Sequence, residues 1–117
     1  MKAVLLVSAG GVLGSLSRFL LPDFFDSYRH ATSAANFIGA ALAAHLLVLM
    51  ERRGITELRW FLIPGFCGGL TTFSGVTYEA MLHPHENWVF ISTNVIFSLI
   101  AVAISITLSR KWIKEKA

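Results

Sequence analysis

Four apolar runs, at about residues 3–21, 32–50, 60–82 and 88–109, constrain this chain more than any other feature of it. A bilayer core is about 30 Å thick, and a helix that crosses it needs about 20 apolar residues. The runs therefore predict an all-α membrane protein of four transmembrane helices, organised as one domain over residues 1–117. With 55% of the residues hydrophobic, 15% charged and a mean hydropathy of +0.64, no room is expected for a soluble domain. Lys2 followed by an apolar stretch imitates a secretory signal, but three further spans follow and polar motifs sit inside this one. The first run is read as a retained helix.

The boundaries carry the punctuation that such spans require. The first run ends at Pro22, before Asp23, Asp26, Arg29 and His30, and the second stops at Glu51, Arg52, Arg53 and Gly54. His83, Pro84, His85, Glu86 and Asn87 form a loop before the fourth run, which ends at Arg110, Lys111, Lys114 and Lys116. Trp60, Trp88 and Trp112 fall at span ends, where amphipathic rings prefer to sit. The third run reads Gly68-Gly69-Leu70-Thr71-Thr72 at its middle, and paired glycines and threonines there predict a helix broken at mid-span.

The pI of about 9.4 does not indicate nucleic acid, because the basic residues lie between apolar runs and at the C-terminus instead of along one polar face. Their distribution sets orientation. One side of the membrane carries Lys2, Arg52, Arg53, Arg59, Arg110, Lys111, Lys114 and Lys116, eight in all, against Arg18 and Arg29 on the other. By the positive-inside rule both termini are cytoplasmic, in a multi-pass protein of the plasma membrane. Cys67 is the single cysteine, which excludes an intrachain disulfide and a cysteine-based metal site; it reads as a buried small apolar residue.

Small residues recur at four-residue spacing, at Gly10 and Gly14, Gly11 and Ser15, Gly39 and Ala43, and Gly65 and Gly69. Such pairs let helix backbones approach closely in lipid, within a subunit or between subunits. Asn36 falls inside the second span, either as a packing hydrogen bond or as a donor to a passing ion. Asn94 and Ser98 share one face of the fourth span, with Ser105 and Thr107 farther along. His45 reads as a packed, hydrogen-bonded neutral side chain more readily than as a proton relay, and Glu79 as structural.

The densest signal is GFCGGLTTFSGVTYE, from Gly65 to Glu79. Unwound backbone at membrane depth is tolerated when it is buried in protein or lines a cavity, where freed carbonyls can bind a cation and freed N–H groups an anion. The hydroxyls of Thr71 and Thr72 and the ring edge of Phe73 suit a small, strongly hydrated anion, without choosing among anions. This segment resembles the GFxGGLTTFSTFxxE signature of the CrcB (Fluc) fluoride channel family. GGVLGSLSRF, Gly10 to Phe19, resembles the family's GGxxGxxxR motif, and ATSAANFIGA, Ala31 to Ala40, its GTLxxNxxG. The motifs stand in family order and spacing, and the four-span plan matches over essentially the whole chain.

The resemblance implies a passive fluoride-exporting channel that works as a dimer of oppositely inserted subunits, with two pores lined by both chains and a structural sodium ion at the interface. By position, Asn36 is the family's pore asparagine, Arg18 its structural first-helix arginine, Phe73 the first of its pore phenylalanines and Ser98 its fourth-helix pore serine. Sodium would be held by the backbone oxygens of Gly68 and Thr71. Two positions depart from the family pattern: Val76 stands where the second pore phenylalanine is expected, preceded by Gly75 in place of threonine, and Asn94 stands where the fourth helix carries a tyrosine. A small multidrug-resistance exporter has a similar plan but needs a carboxylate in its first helix, and none is present. A weakly conducting or non-conducting partner subunit of a heterodimeric channel is the other alternative. An enzyme is disfavoured, because no nucleophile–base pair or metal-ligand cluster occurs at usable spacing.

A subunit of an antiparallel homodimer must insert in both orientations, which calls for nearly balanced Lys and Arg on its two sides, whereas the count here is eight against two. The chain is expected to adopt one orientation and to take an oppositely oriented paralogue as its partner. Single cysteines placed in the loop after Arg53, in cells expressing this chain alone, should be labelled from the cytoplasmic side only. Comparable labelling from both sides would restore the homodimer.

Overall fold

A computed structural model of the protein describes residues 1–82, 85 and 87–113, with the backbone alone at Tyr28 and Asn87. Among these residues all regular structure is helical. Helix α1 covers Lys2–Leu20 and runs into a 3-10 turn at Leu21–Phe24; α2 covers Tyr28–Arg53. A short α3, Glu57–Trp60, leads into a π-helical stretch at Phe61–Cys67 and a single turn α4 at Gly68–Leu70. After an interruption come α5, Ser74–Leu82, and α6, Asn87–Trp112.

Among the described residues three helices are long and apolar enough to cross a membrane, over Lys2–Phe24, Arg29–Arg53 and Trp88–Trp112. At 1.5 Å per residue, segments of 23, 25 and 25 residues exceed the hydrocarbon thickness. Residues 57–82 do not form one such helix, because their helical path changes register and then stops. Pro64 accounts for the first change. A proline in a helix interior cannot donate and crowds the preceding turn, and the wider π register relieves both, with the Gly68 N–H reaching back to the Ile63 carbonyl.

Burial is concentrated on α2. In its spanning window 39% of residues are buried, against 11% in each of the other two, so α2 is the most enclosed helix, with α6 packed along it and residues 61–70 between it and α1. Its buried face is small, with Ala31, Ala35 and Ala44 joined by Val48 and Met50. Leu5, Val12 and Leu16 of α1 and Ile96, Leu99 and Ile104 of α6 are exposed, as helix surfaces in hydrocarbon can be.

Side-chain pairs, most of them polar, fasten α2 to α6 along most of their length. Arg29 lies 4.5 Å over the Phe90 ring, Phe37 meets Phe97 edge-on at 6.0 Å, and Ser105 Oγ donates to the Ala41 carbonyl at 2.6 Å. At the far end Arg52 donates to the Arg110 and Ile113 carbonyls at 3.0 and 2.6 Å, satisfying acceptors that end a helix without partners.

On the other flank α1 lies against Phe61–Leu70, and glycine makes that approach possible. A Cβ on Gly10 would strike the Phe61 carbonyl oxygen, one on Gly14 the Phe66 carbonyl oxygen, and one on Gly69 the Gly11 carbonyl oxygen. The small-residue pairs of the first and third runs thus pack the subunit against itself.

Several boundaries differ from the sequence reading. Helix α2 begins at Tyr28, not Thr32, because Ser27 is extended and its hydroxyl accepts the His30 N–H at 3.2 Å, an N-cap that precedes the apolar run. It continues past Met50 to Arg53, where Gly54 takes the left-handed conformation at φ 69°. The third segment starts at Glu57, α6 extends to Trp112, and Asn87 is helical. Of the segment Gly68–Thr72 read as the break, Gly68, Gly69 and Leu70 are helical; the chain leaves the helix at Thr71–Phe73. Of the loop before α6, His83, Pro84 and Glu86 lie outside the described residues, as do Lys114 and Lys116 of the charge count.

Gly14→Ala should destabilise the fold, since its methyl group meets backbone that cannot rotate away; overpacking of this kind costs roughly 1–3 kcal/mol. Gly11→Ala should be close to neutral, because a Cβ there meets nothing nearer than the Gly65 carbonyl oxygen at 3.9 Å. Thermal unfolding midpoints in detergent should separate the two variants, and equal midpoints would refute the packing.

Candidate functional site

The interruption at Thr71–Phe73 removes backbone hydrogen bonds of the helical ladder, and the buried groups it frees need other partners. Asn36 of α2 supplies substitutes for both polar groups of Thr72. Its Oδ1 accepts the Thr72 N–H at 2.7 Å, and its Nδ2 donates to the Thr72 carbonyl at 3.0 Å. The remaining Nδ2 hydrogen goes to Asn94 Oδ1 of α6 at 3.1 Å. Asn94 Nδ2 in turn donates to Ser33 Oγ at 3.1 Å and to the Phe90 carbonyl at 3.0 Å. Both asparagines are buried, at 8% and 3% exposure, and among the described residues no buried side-chain N or O lacks a partner.

Thr72 also restarts the helix. Its Oγ1 accepts the Gly75 N–H at 2.9 Å and lies 3.1 Å from Ser74 Oγ, and the Thr77 N–H bonds the Phe73 carbonyl at 3.0 Å as α5 begins. The positive end of the α5 dipole is thereby held beside the break.

All six residues expected at an ion pathway, Asn36, Thr72, Phe73, Val76, Asn94 and Ser98, line one cavity of about 390 Å³ between α2, the break, α5 and α6. Its other walls are aliphatic apart from Thr71, and among the described residues no acidic or basic side chain lines it. What it offers an ion is therefore dipolar: hydroxyls, the N-terminal end of α5 and a ring edge. Phe73 is 65% exposed, so its ring stands partly outside the subunit, whereas Val76 is 1% exposed and forms a closed apolar wall.

The carbonyl side of the break has a different character. The Thr72 N–H, which in a continuing helix would bond the Gly68 carbonyl, is committed to Asn36, leaving Gly68 O only a long 3.5 Å approach from Thr71 Oγ1. Thr71 is extended at φ −83° and ψ 154°, which takes its own carbonyl out of the helical ladder. Gly68 is exposed on the subunit surface. Oxygen donors without amide partners fit a hard cation, though two per chain do not complete its shell. Arg18 of α1 takes up the next carbonyl, with Nε donating to Gly69 O at 3.3 Å, so its contact is a structural one.

Residues 5–109 match the family described as CrcB-like protein, Camphor Resistance (CrcB). The chain belongs to this CrcB family. Among curated proteins it is similar to the fluoride-specific ion channel FluC of Chlorobium phaeobacteroides (strain BS1), at 33% identity over 94% of each chain. It is likewise similar to that of Prosthecochloris aestuarii (strain DSM 271 / SK 413), at 33% over 95% of each. With the protein so named in Chlorobaculum tepidum (strain ATCC 49652 / DSM 12025 / NBRC 103806 / TLS) it shares 42% identity over 68% of each.

Other residues singled out in this CrcB chain lie away from the cavity. His45 is hydrogen-bonded, its Nδ1 lying 2.8 Å from Ser109 Oγ, but it is exposed on the subunit instead of packed inside it. Glu79 is buried at 5% exposure on α5, and Cys67 at 3% beneath the break. Thr107 Oγ1 donates to its own helix, to the Ala103 carbonyl at 2.8 Å. Two contributors went unnoticed in the sequence. Ser33, which orients Asn94, sits three residues before Asn36 and so on the same helix face, a spacing that could have revealed it. The capping role of Arg52 had no local signal.

Proposed function

We propose that this chain is a subunit of a fluoride-selective channel that lets cytoplasmic fluoride leave the cell passively, and that it is not an enzyme. The observation that carries the reading is the convergence of Asn36, Phe73 and Ser98 on one uncharged cavity beside a helix break, in a chain whose relatives are named fluoride-specific ion channels. An anion that gives up its hydration shell needs hydrogen-bond donors and positive dipole ends, and a full opposite charge would hold it too tightly to conduct. Hydroxyls at Thr72 and Ser98, the α5 N-terminus and the edge of the Phe73 ring are the groups that would take over from water.

In this reading residues 57–82 make the fourth crossing, with the break at membrane depth, and both termini are cytoplasmic in the plasma membrane. The functional unit is an antiparallel dimer. Exposure of Phe73 and Gly68 on the single subunit supports an interface on that side. A structural sodium ion fits there, held by the carbonyl oxygens of Gly68 and Thr71 together with those of the second subunit; it would supply the charge that lets two polar breaks meet in lipid.

The second reading, a partner subunit that conducts weakly or not at all by itself, is favoured by Val76, a buried aliphatic wall with no ring edge, and by the charge bias. Liposomes loaded with fluoride and reconstituted with the protein, alone or with an oppositely oriented family member, test both. Fluoride efflux without matching chloride efflux is expected, and Phe73→Ala should reduce it at least about tenfold, the factor equivalent to about 1.4 kcal/mol. Efflux that appears only with the second chain identifies the partner subunit. No fluoride efflux in either preparation would remove the channel reading.

A further inference from the structure

Counting donors at the site leads to a constraint on ion binding. An asparagine amide carries two N–H groups. In Asn36 one is committed to the Thr72 carbonyl and the other to Asn94 Oδ1, while both N–H groups of Asn94 go to Ser33 Oγ and the Phe90 carbonyl. No donor of either amide is left for an ion, although both side chains line the cavity.

The orientation of the two amides is fixed by their backbone partners. The Thr72 N–H can only donate and its carbonyl can only accept, so Asn36 must present Oδ1 to the first and Nδ2 to the second. The Phe90 carbonyl can only accept, so Asn94 must turn Nδ2 to it and Oδ1 to Asn36. Flipping either amide would set like against like in a buried place, at a cost of one or more hydrogen bonds.

Two of the three bonds of Asn36 hold the helix break together, and giving either up would expose backbone to lipid. The third, to Asn94, holds no backbone of its own. We propose that Asn94 is a positioning residue that competes with the anion: its Oδ1 occupies the one N–H of Asn36 that the break can spare, and an anion binds Asn36 only by displacing it. Asn94 then sets a threshold at the site. An anion that accepts hydrogen bonds more strongly than an amide oxygen exchanges places with Asn94 Oδ1, and a weaker acceptor does not. The proposal rests on the channel reading above, but the amide bonding can be measured without transport.

The test uses Asn94→Leu, which removes the acceptor and keeps the branched shape with the same number of heavy atoms, and Asn94→Ala as a second variant should the bulkier first one fail to fold. Fluoride efflux from liposomes should rise, by up to about tenfold, the equivalent of one net hydrogen bond at the upper end of its range. In parallel, the Asn36 side-chain amide is followed by NMR with selective nitrogen labelling. One of its two N–H resonances should move on losing Asn94, and the same resonance should move with added sodium fluoride at lower concentration in the variant than in the unmodified protein. Slower or unchanged efflux in both variants, with a conducting unmodified protein, would overturn the proposal and make Asn94 a direct ligand or a bystander. If the unmodified protein does not conduct, the channel reading fails, and the NMR arm still decides: an Asn36 amide indifferent to Asn94 overturns the competition.

Discussion

The reciprocal pair of hydrogen bonds between the Asn36 amide and the Thr72 backbone is the interaction on which the rest of the structure depends. An unpaired buried polar group costs about 1–3 kcal/mol, and Thr72 would carry two of them. One side chain satisfies both, at 2.7 and 3.0 Å, and with them secured the chain can stop being helical at Thr71–Phe73. Every property of the cavity follows from that stop. It frees the Gly68 carbonyl on one side, starts α5 on the other, and brings Phe73 to the surface between them.

Such a break would be of no use if the flanking pieces could drift, and two different kinds of packing hold them. Before the break, glycines let α1 lie directly on the backbone of Phe61–Leu70, with the Arg18 guanidinium fixed to the Gly69 carbonyl. Close backbone packing replaces the hydrophobic effect, which does not operate between helices in lipid. Across α2 and α6 the fastening is polar instead, from Asn94 and Ser33 near one end to Arg52 and Ile113 at the other. The site is thus built where the most enclosed helix of the subunit meets a segment that cannot span by itself.

Much of this was legible in the sequence, and what was not has a physical explanation. The apolar runs identified α1, α2 and α6 because length and hydropathy are local properties. The break was placed across Gly68–Thr72 on paired glycines and threonines, and it lies at the threonine end: Gly68 and Gly69 stay helical, and the small size of Gly69 serves the approach of α1. The true interruption at Thr71–Phe73 depends on Asn36, 36 residues earlier in the chain, and no local pattern reports such a partner. The motifs gathered Asn36, Thr72, Phe73 and Val76, and the shared face of the fourth run added Asn94 and Ser98, but which amide bonds which was beyond such reading. Asn94, read as sharing a helix face with Ser98 and as a departure from a family pattern, proves to be bonded to Asn36 itself.

The central claim is that a helix break bridged by Asn36 builds an uncharged anion site at membrane depth. A density map of the protein in lipid nanodiscs with sodium fluoride, at a resolution that shows individual side chains and ions, tests it most directly. The account predicts extended backbone at Thr71, the Asn36 amide across Thr72, and ion density in the cavity bounded by Asn36, Phe73 and Ser98. An unbroken helix through Thr71–Phe73, or fluoride density only at sites remote from that cavity, would contradict it.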